Sequence, residues 1–137
     1  IYEDQGYLIN GEKGFGDFLD KVGRDVGIVL DFGNHYNVDE PVDGFFRAFH
    51  DRVCHVHLKD VICAAQPDGT PGWIPTLKGN YFKVVSMGEG IIEHCKYVTM
   101  LEEAGYQGCY SLEFGAETEN SSVVDEALEN LNNWLLR

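Results

Sequence analysis

Short β-rich runs alternate with segments of helical periodicity along the whole chain, and this alternation leaves few folds open. Val26-Gly27-Ile28-Val29-Leu30-Asp31-Phe32 reads as a strand bounded by glycines and ending in Asp31. A second run over about 53–59 and a third, Gly108-Cys109-Tyr110-Ser111-Leu112-Glu113-Phe114, read the same way, and Ile1-Tyr2-Glu3 reads as the end of a further strand. Between them, Phe15, Phe18, Leu19 and Val22 fall at i, i+3, i+4 and i+7, which predicts a helix over about 13–23. Pro41 suits the first position of the next helix, with Val42, Phe45, Phe46 and Phe49 on one face. A third carries Ile91, Cys95, Val98 and Leu101 and stops at Ala104-Gly105, and a fourth, roughly 121–135, has Val124, Ala127, Leu128, Leu131, Trp134 and Leu135 as its buried stripe. Four strand–helix units in strict order imply an α/β fold with parallel strands and right-handed crossovers. The segment 61–90 interrupts the pattern as a long, irregular βα insertion, with Pro67-Asp68-Gly69, Pro71-Gly72 and Gly88-Glu89-Gly90 as turns and only Tyr81–Ser86 suggesting extension.

Composition narrows the class. The 137 residues form one domain at most, and 44% hydrophobic residues suffice for a core. With 10 Lys+Arg against 23 Asp+Glu the net charge is −13, which repels nucleic-acid backbones and anionic membrane surfaces and excludes both as expected partners. Cys54, Cys63, Cys95 and Cys109 lack the spacing of a zinc finger or disulfide framework, so reduced, mostly buried thiols in a cytoplasmic protein are expected. No apolar run is long enough for a membrane span and no leader pattern is present. The chain opens without Met on what reads as a strand end, which suggests a fragment.

Strand faces point to chemistry. Side chains alternate across a strand, so His55, His57 and Lys59 share one face while Cys54, Val56 and Leu58 share the other. Assigning the large apolar side of the three full strands to the helix layer leaves Asp31, His57 and Glu113 facing inward at the strand ends, and Glu3, opposite Tyr2 in a first strand too short to show alternation, is taken as the fourth. In a β/α barrel the carboxyl ends of the strands build the active site, so these four would converge. Three carboxylates and an imidazole form a hard O/N donor set, suited to Mn²⁺, Mg²⁺ or Co²⁺ rather than a thiolate-bound structural zinc. His55 lies one layer deeper. His35, His50 and His94 read as surface or cap residues, Asp4, Asp60 and Glu117 as solvated loop charges, and Glu102-Glu103 as a wet helix face. Trp73 and Tyr81 read as a lid or as loop packing, and Gly88-Glu89-Gly90 as a turn or, through its backbone N–H groups, a phosphate cradle.

Glu3-Asp4-Gln5, Val29-Leu30-Asp31-Phe32-Gly33-Asn34, His55-Val56-His57-Leu58-Lys59-Asp60, Met87-Gly88-Glu89-Gly90 and Gly105-Tyr106-Gln107-Gly108 with Ser111-Leu112-Glu113 together resemble the xylose isomerase-like sugar phosphate isomerase/epimerase family. In order and spacing they are similar to the second half of its TIM barrel. The resemblance implies half of a (β/α)8 barrel, with Glu3, Asp31, His57 and Glu113 as ligands of a divalent metal, Mn²⁺ first, with Mg²⁺, Co²⁺ or Zn²⁺ as alternatives. It implies proton transfer through an enediolate, with Glu3 and Glu113 as the two acid/base groups on a carbohydrate substrate. Where many epimerases of the family place a substrate-binding His shortly after the aspartate, this chain has Asn34 followed by His35, to which the resemblance gives the substrate-binding place, and the arginine that some members carry after the metal-binding His is replaced by Asp60-Val61-Ile62-Cys63. Lys59 would hold a substrate oxygen, or form a salt bridge at the barrel mouth.

The same scaffold supports lyases and dehydratases of keto sugars, including C-glycoside cleavage, which start with the same deprotonation. A repair endonuclease would want extra histidines and a basic surface, which are missing. A non-catalytic fragment or subunit is the third alternative. Four strands are half of the eight a barrel needs, so pairing with an N-terminal half or with a second copy as a homo-oligomer is expected.

Overall fold

Strand pairing and helix packing are described by a computed structural model for residues 2–3, 9, 11–115 and 121–136. The elements are β1 (Tyr2–Glu3), α1 (Gly11–Val22), β2 (Ile28–Asp31), α2 (Val42–Phe49), β3 (Val53–Leu58), β4 (Asp60–Ala64), β5 (Trp73–Pro75), β6 (Tyr81–Val85), α3 (His94–Glu103), β7 (Cys109–Leu112) and α4 (Ser121–Leu135). Short 3₁₀ turns, Asn34–Val38 and His50–Arg52, lead into and out of α2. The four strands read from the sequence form one parallel sheet in the order β1-β2-β3-β7. It is a partial barrel, not closed by the described residues.

One side of this sheet carries the core. Ile28, Leu30, Phe32, Val56 and Leu58 are each fully buried at 0% exposure, while His55 and His57 on the opposite side of β3 stay half-exposed. The face assignment by alternation therefore holds over the end of β3: Val56 and Leu58 are dry toward the helices, His55 and His57 are open toward what would be the barrel interior, and Cys54 at the strand's start is exposed. Above β2, Phe15 of α1 meets Phe45 of α2 edge-on at 4.9 Å, with Phe49 at 6.0 Å. Phe32 stacks on Tyr97 of α3 at 5.2 Å. Helix α3 ends where expected: Gly105 takes a φ of 80°, and the Tyr106 N–H reaches back to Leu101 O at 3.0 Å, closing the last turn.

Five expectations are corrected. The 61–90 insertion is not irregular: β4, β6 and β5 form an antiparallel three-stranded sheet, each strand too short to show alternation between its Pro and Gly turns. Ile91 is exposed and outside α3, because its N–H is bonded to Val61 O at 2.9 Å. On α4, Ala127 and Leu131 are buried but Leu128 and Leu135 lie on the exposed flank of the stripe. The cysteines are all free, but Cys54, Cys63 and Cys109 are exposed and Cys95 is only half-buried. Cys109 pairs with His55 on the open side of the sheet, which the helices do not cover. Finally, His35 and His94 are not surface or cap residues: they are 1% and 2% exposed. His35 packs on Phe45 at 4.3 Å, and His94 stacks on Trp134 at 5.9 Å with Phe32 edge-on at 5.4 Å.

These packings yield two predictions. Phe15→Ala empties the α1–α2 junction and should cost about 3–5 kcal/mol in urea unfolding. Burial depresses both buried imidazoles to about 4, outweighing the carboxylates of Asp31 and Glu40 near His35 and of Asp60 and Asp31 near His94. The unfolded chain therefore binds more protons between about pH 4 and pH 6.5, so stability is full above that window and falls as pH drops through it. Each histidine contributes a slope of up to about 1.4 kcal/mol per pH unit. His94→Phe, which keeps the stacking, should flatten the acid limb of the stability profile by one proton; an unchanged slope contradicts the assignment.

Candidate metal centre

Parallel register sets the heights of the strand-end residues. Asp31 pairs with His57 and His57 with Ser111, so Glu113 stands two residues further along β7's path, its N–H held by Leu58 O at 3.0 Å. On the other edge Glu3 pairs with Val29, two residues before Asp31. Strands in a barrel slope, so points of equal height advance by about one residue per strand. The staggering from Glu3 to Glu113 follows that slope. The side chain of Glu3 lies outside the described residues, as do Asp4 and Glu117, so the structure brings together three of the four expected ligands.

Ligand atoms of Asp31, His57 and Glu113 lie within 4.8 Å of one another. The His57 Nδ1 is 3.7 Å from Asp31 Oδ2 and 3.2 Å from Glu113 Oε2. Asp31 is the fixed point: its carboxylate is buried, and Oδ1 accepts the N–H groups of Gly33 at 2.8 Å and Asn34 at 3.0 Å. Its other oxygen faces the cluster. Lys59 enters from the same side as His57, with Nζ 2.9 Å from Asp31 Oδ2, 2.8 Å from Glu113 Oε1 and 3.1 Å from Asn34 Oδ1. Gly33 makes room for it: a Cβ there would stand 2.6 Å from the Lys59 Cδ.

Burial raises the Asp31 carboxyl, but the His57 hydrogen bond and the Lys59 charge and hydrogen bond overcome it and hold the group far below the usual carboxylate range. Asp31 is thus held as an anion, the state that a metal ligand needs. Burial also raises Glu113; the Lys59 hydrogen bond opposes it, yet repulsion from Asp31 leaves this carboxyl above its ordinary value. Glu113 is the group better placed to take and return a proton. For Lys59, burial lowers the ammonium, and the two carboxylates more than reverse the effect. Two carboxylates and an imidazole, one oxygen already pinned by backbone N–H groups, suit a hard divalent cation.

The remaining candidates separate clearly. Asn34 and Lys59 join the cluster. His35, expected to bind substrate, is instead buried against Phe45, which withholds its ring from any molecule at the strand ends. Asp60 is not a solvated loop charge: it is 1% exposed and accepts N–H groups from Val61 (2.9 Å), Gly88 (2.9 Å), Gly90 (3.0 Å) and Ile92 (3.3 Å). Gly88 and Gly90 therefore spend their N–H groups on Asp60 and form no phosphate cradle. Gly90 is required, since a Cβ would fall on the Asp60 carboxylate. Asp60 was missed because three of its four partners lie 28, 30 and 32 residues away along the chain. Trp73 closes its own turn by donating to Asp68 Oδ1 at 2.8 Å. The sheet tip is docked on the β2–α2 connection, where Leu77 N–H bonds Asn37 O at 2.8 Å and Lys78 meets Glu40 at 3.4 Å. A groove of about 810 Å³ between α1 and α2 shares no residue with the cluster.

Residues 5–134 match the family model described as xylose isomerase-like TIM barrel. Among solved structures, the chain is similar to a xylose isomerase domain protein from Planctomyces limnophilus, with a TM-score of 0.69 and 23% identity over 96% of this chain and 43% of that one. It is also similar to a xylose isomerase-like TIM barrel protein from Mycobacterium smegmatis in complex with magnesium, with a TM-score of 0.71 and 19% identity over 97% of this chain and 42% of the other. The chain thus spans less than half the length of these structures. No curated protein sequence matches it.

The geometry makes Asp60 the anchor of the 88–92 segment. Asp60→Asn replaces one doubly accepting oxygen by a donor and should cost about 2 kcal/mol or more. Amide exchange at Gly88 and Gly90 should quicken in the variant; unchanged protection contradicts the anchoring role.

Proposed function

Because the chain belongs to the xylose isomerase-like TIM barrel family, we propose that it is the C-terminal half of the barrel of a divalent-metal-dependent sugar or sugar phosphate isomerase or epimerase. The observation that carries this reading is the convergence of Asp31, His57 and Glu113 within 4.8 Å at the ends of adjacent strands. These three, with Glu3 as the fourth ligand, would hold the metal, with Mn²⁺ the first choice. Such a cation would polarise a carbonyl and its neighbouring hydroxyl and stabilise the enediolate left when the α-proton departs.

The protein's own residues supply the rest. Asp31, held as an anion by His57 and Lys59 and seated on two backbone N–H groups, fixes the position of the site. Glu113, with its raised carboxyl, carries the proton at one face of the substrate, and Glu3 serves the other. Asn34 and Lys59 offer an amide and an ammonium to substrate oxygens. The edges β1 and β7 would pair with four more strands, from an N-terminal half or a second copy, to close the barrel. No helix among the described residues is long and apolar enough to cross a membrane, and with four free thiols the cytoplasm is the compartment we assign.

The test is turnover of ketoses and ketose phosphates by the Mn²⁺-loaded protein in D₂O. Epimeric or isomeric product carrying solvent deuterium is expected, with Glu113→Gln and Glu3→Gln each lowering kcat about 10²–10⁴-fold. Elimination or bond cleavage would assign a lyase, and unchanged turnover in both variants would overturn the acid/base roles.

A further inference from the structure

Lys59 is where a cation already sits. Asp31 Oδ1 is occupied by the N–H groups of Gly33 and Asn34, so Oδ2 is the oxygen left for a metal, and the Lys59 ammonium holds that same atom at 2.9 Å. The ammonium also takes Glu113 Oε1 at 2.8 Å, the partner oxygen of the one facing His57. Its third contact, Asn34 Oδ1 at 3.1 Å, is neutral and lies outside the metal-ligand set. A divalent ion and an ammonium on one carboxylate oxygen, in a buried site, repel strongly.

We infer that Lys59 is a built-in counter-ion that neutralises the metal-free site and gives way to the metal, leaving Asp31 and Glu113 for Asn34. This inference rests on the metal reading above and adds a residue that sets metal affinity. Without a cation, a buried Asp31 beside Glu113 would be an uncompensated charge, and Lys59 prevents that. The cost falls on metal binding, which must break two charge-assisted hydrogen bonds. The lysine stem passes close over Gly33, where a Cβ would stand 2.6 Å from Cδ, so the aliphatic part can stay there while the head moves.

Lys59→Met retains that stem and removes the charge. Mn²⁺ titration of the full chain, followed by calorimetry and by loss of the free-ion spin-resonance signal, should show about tenfold tighter binding in the variant than in the parent. The metal-free variant should melt lower than the parent, and saturating Mn²⁺ should close most of the gap. Lys59→Gln serves if the Met variant does not fold. The parent protein gives a reading that needs no substitution: acetylation of Lys59, followed by peptide mass spectrometry, should be slow without metal and faster with Mn²⁺. Equal or weaker Mn²⁺ binding in the variants, or acetylation indifferent to Mn²⁺, overturns displacement and makes Lys59 a support for the ligands. If neither parent nor variants bind Mn²⁺, the metal reading falls and the inference with it.

Discussion

The carboxylate of Asp31 is the interaction on which the rest of the site depends. It is buried at the end of a strand that is dry on both faces, so its charge must be met locally. Two backbone N–H groups of the turn after β2 meet one oxygen, and Lys59 meets the other. That arrangement fixes the turn at Gly33-Asn34, seats Lys59 across the β2–β3 junction and aims a single oxygen toward His57 and Glu113. A neutral residue at position 31 would leave the N–H groups of the turn and the Lys59 ammonium without their common partner.

Around this anion two carboxylates are pushed in opposite directions. Asp31 stays charged because cations and N–H donors surround it, whereas Glu113, half-exposed and beside that same charge, is raised. Environments that drive paired groups apart are a means of dividing ligand from acid/base duty. The second buried carboxylate, Asp60, has a mechanical role. It gathers the start of β4 and the segment before α3 through four backbone N–H groups, which ties the chain returning from the three-stranded insertion to the point where it leaves, just after His57 and Lys59.

What the sequence disclosed follows from how far each signal travels along the chain. Strand faces are local, with a period of two residues, so the inward setting of Asp31, His57 and Glu113 was legible, as were the parallel pairing and the apolar helix faces that carry Phe15, Phe45 and Phe49. Glu3 was placed by its neighbours alone, and only its backbone pairing with Val29 is described. Properties that depend on the fold-back were not legible. Asp60 looks like any loop acid until Gly88 and Gly90 return to it, and His35 and His94 look like polar surface until Phe45 and Trp134 cover them. The insertion's strands of three to five residues were hidden because Pro and Gly broke them before any period could form. The thiols erred the other way: Cys109 lies on the side of the sheet that stays open without four further strands.

The central claim is that the strand ends form a metal site, and a crystal soaked in Mn²⁺ with data collected at the manganese absorption edge tests it directly. The account predicts one anomalous peak bonded to Asp31 Oδ2, His57 and Glu113, at about 2.0–2.3 Å from each, with Glu3 as the fourth ligand and the Lys59 ammonium withdrawn toward Asn34. A cluster without a peak, with Lys59 still seated on Asp31 and Glu113, would contradict it.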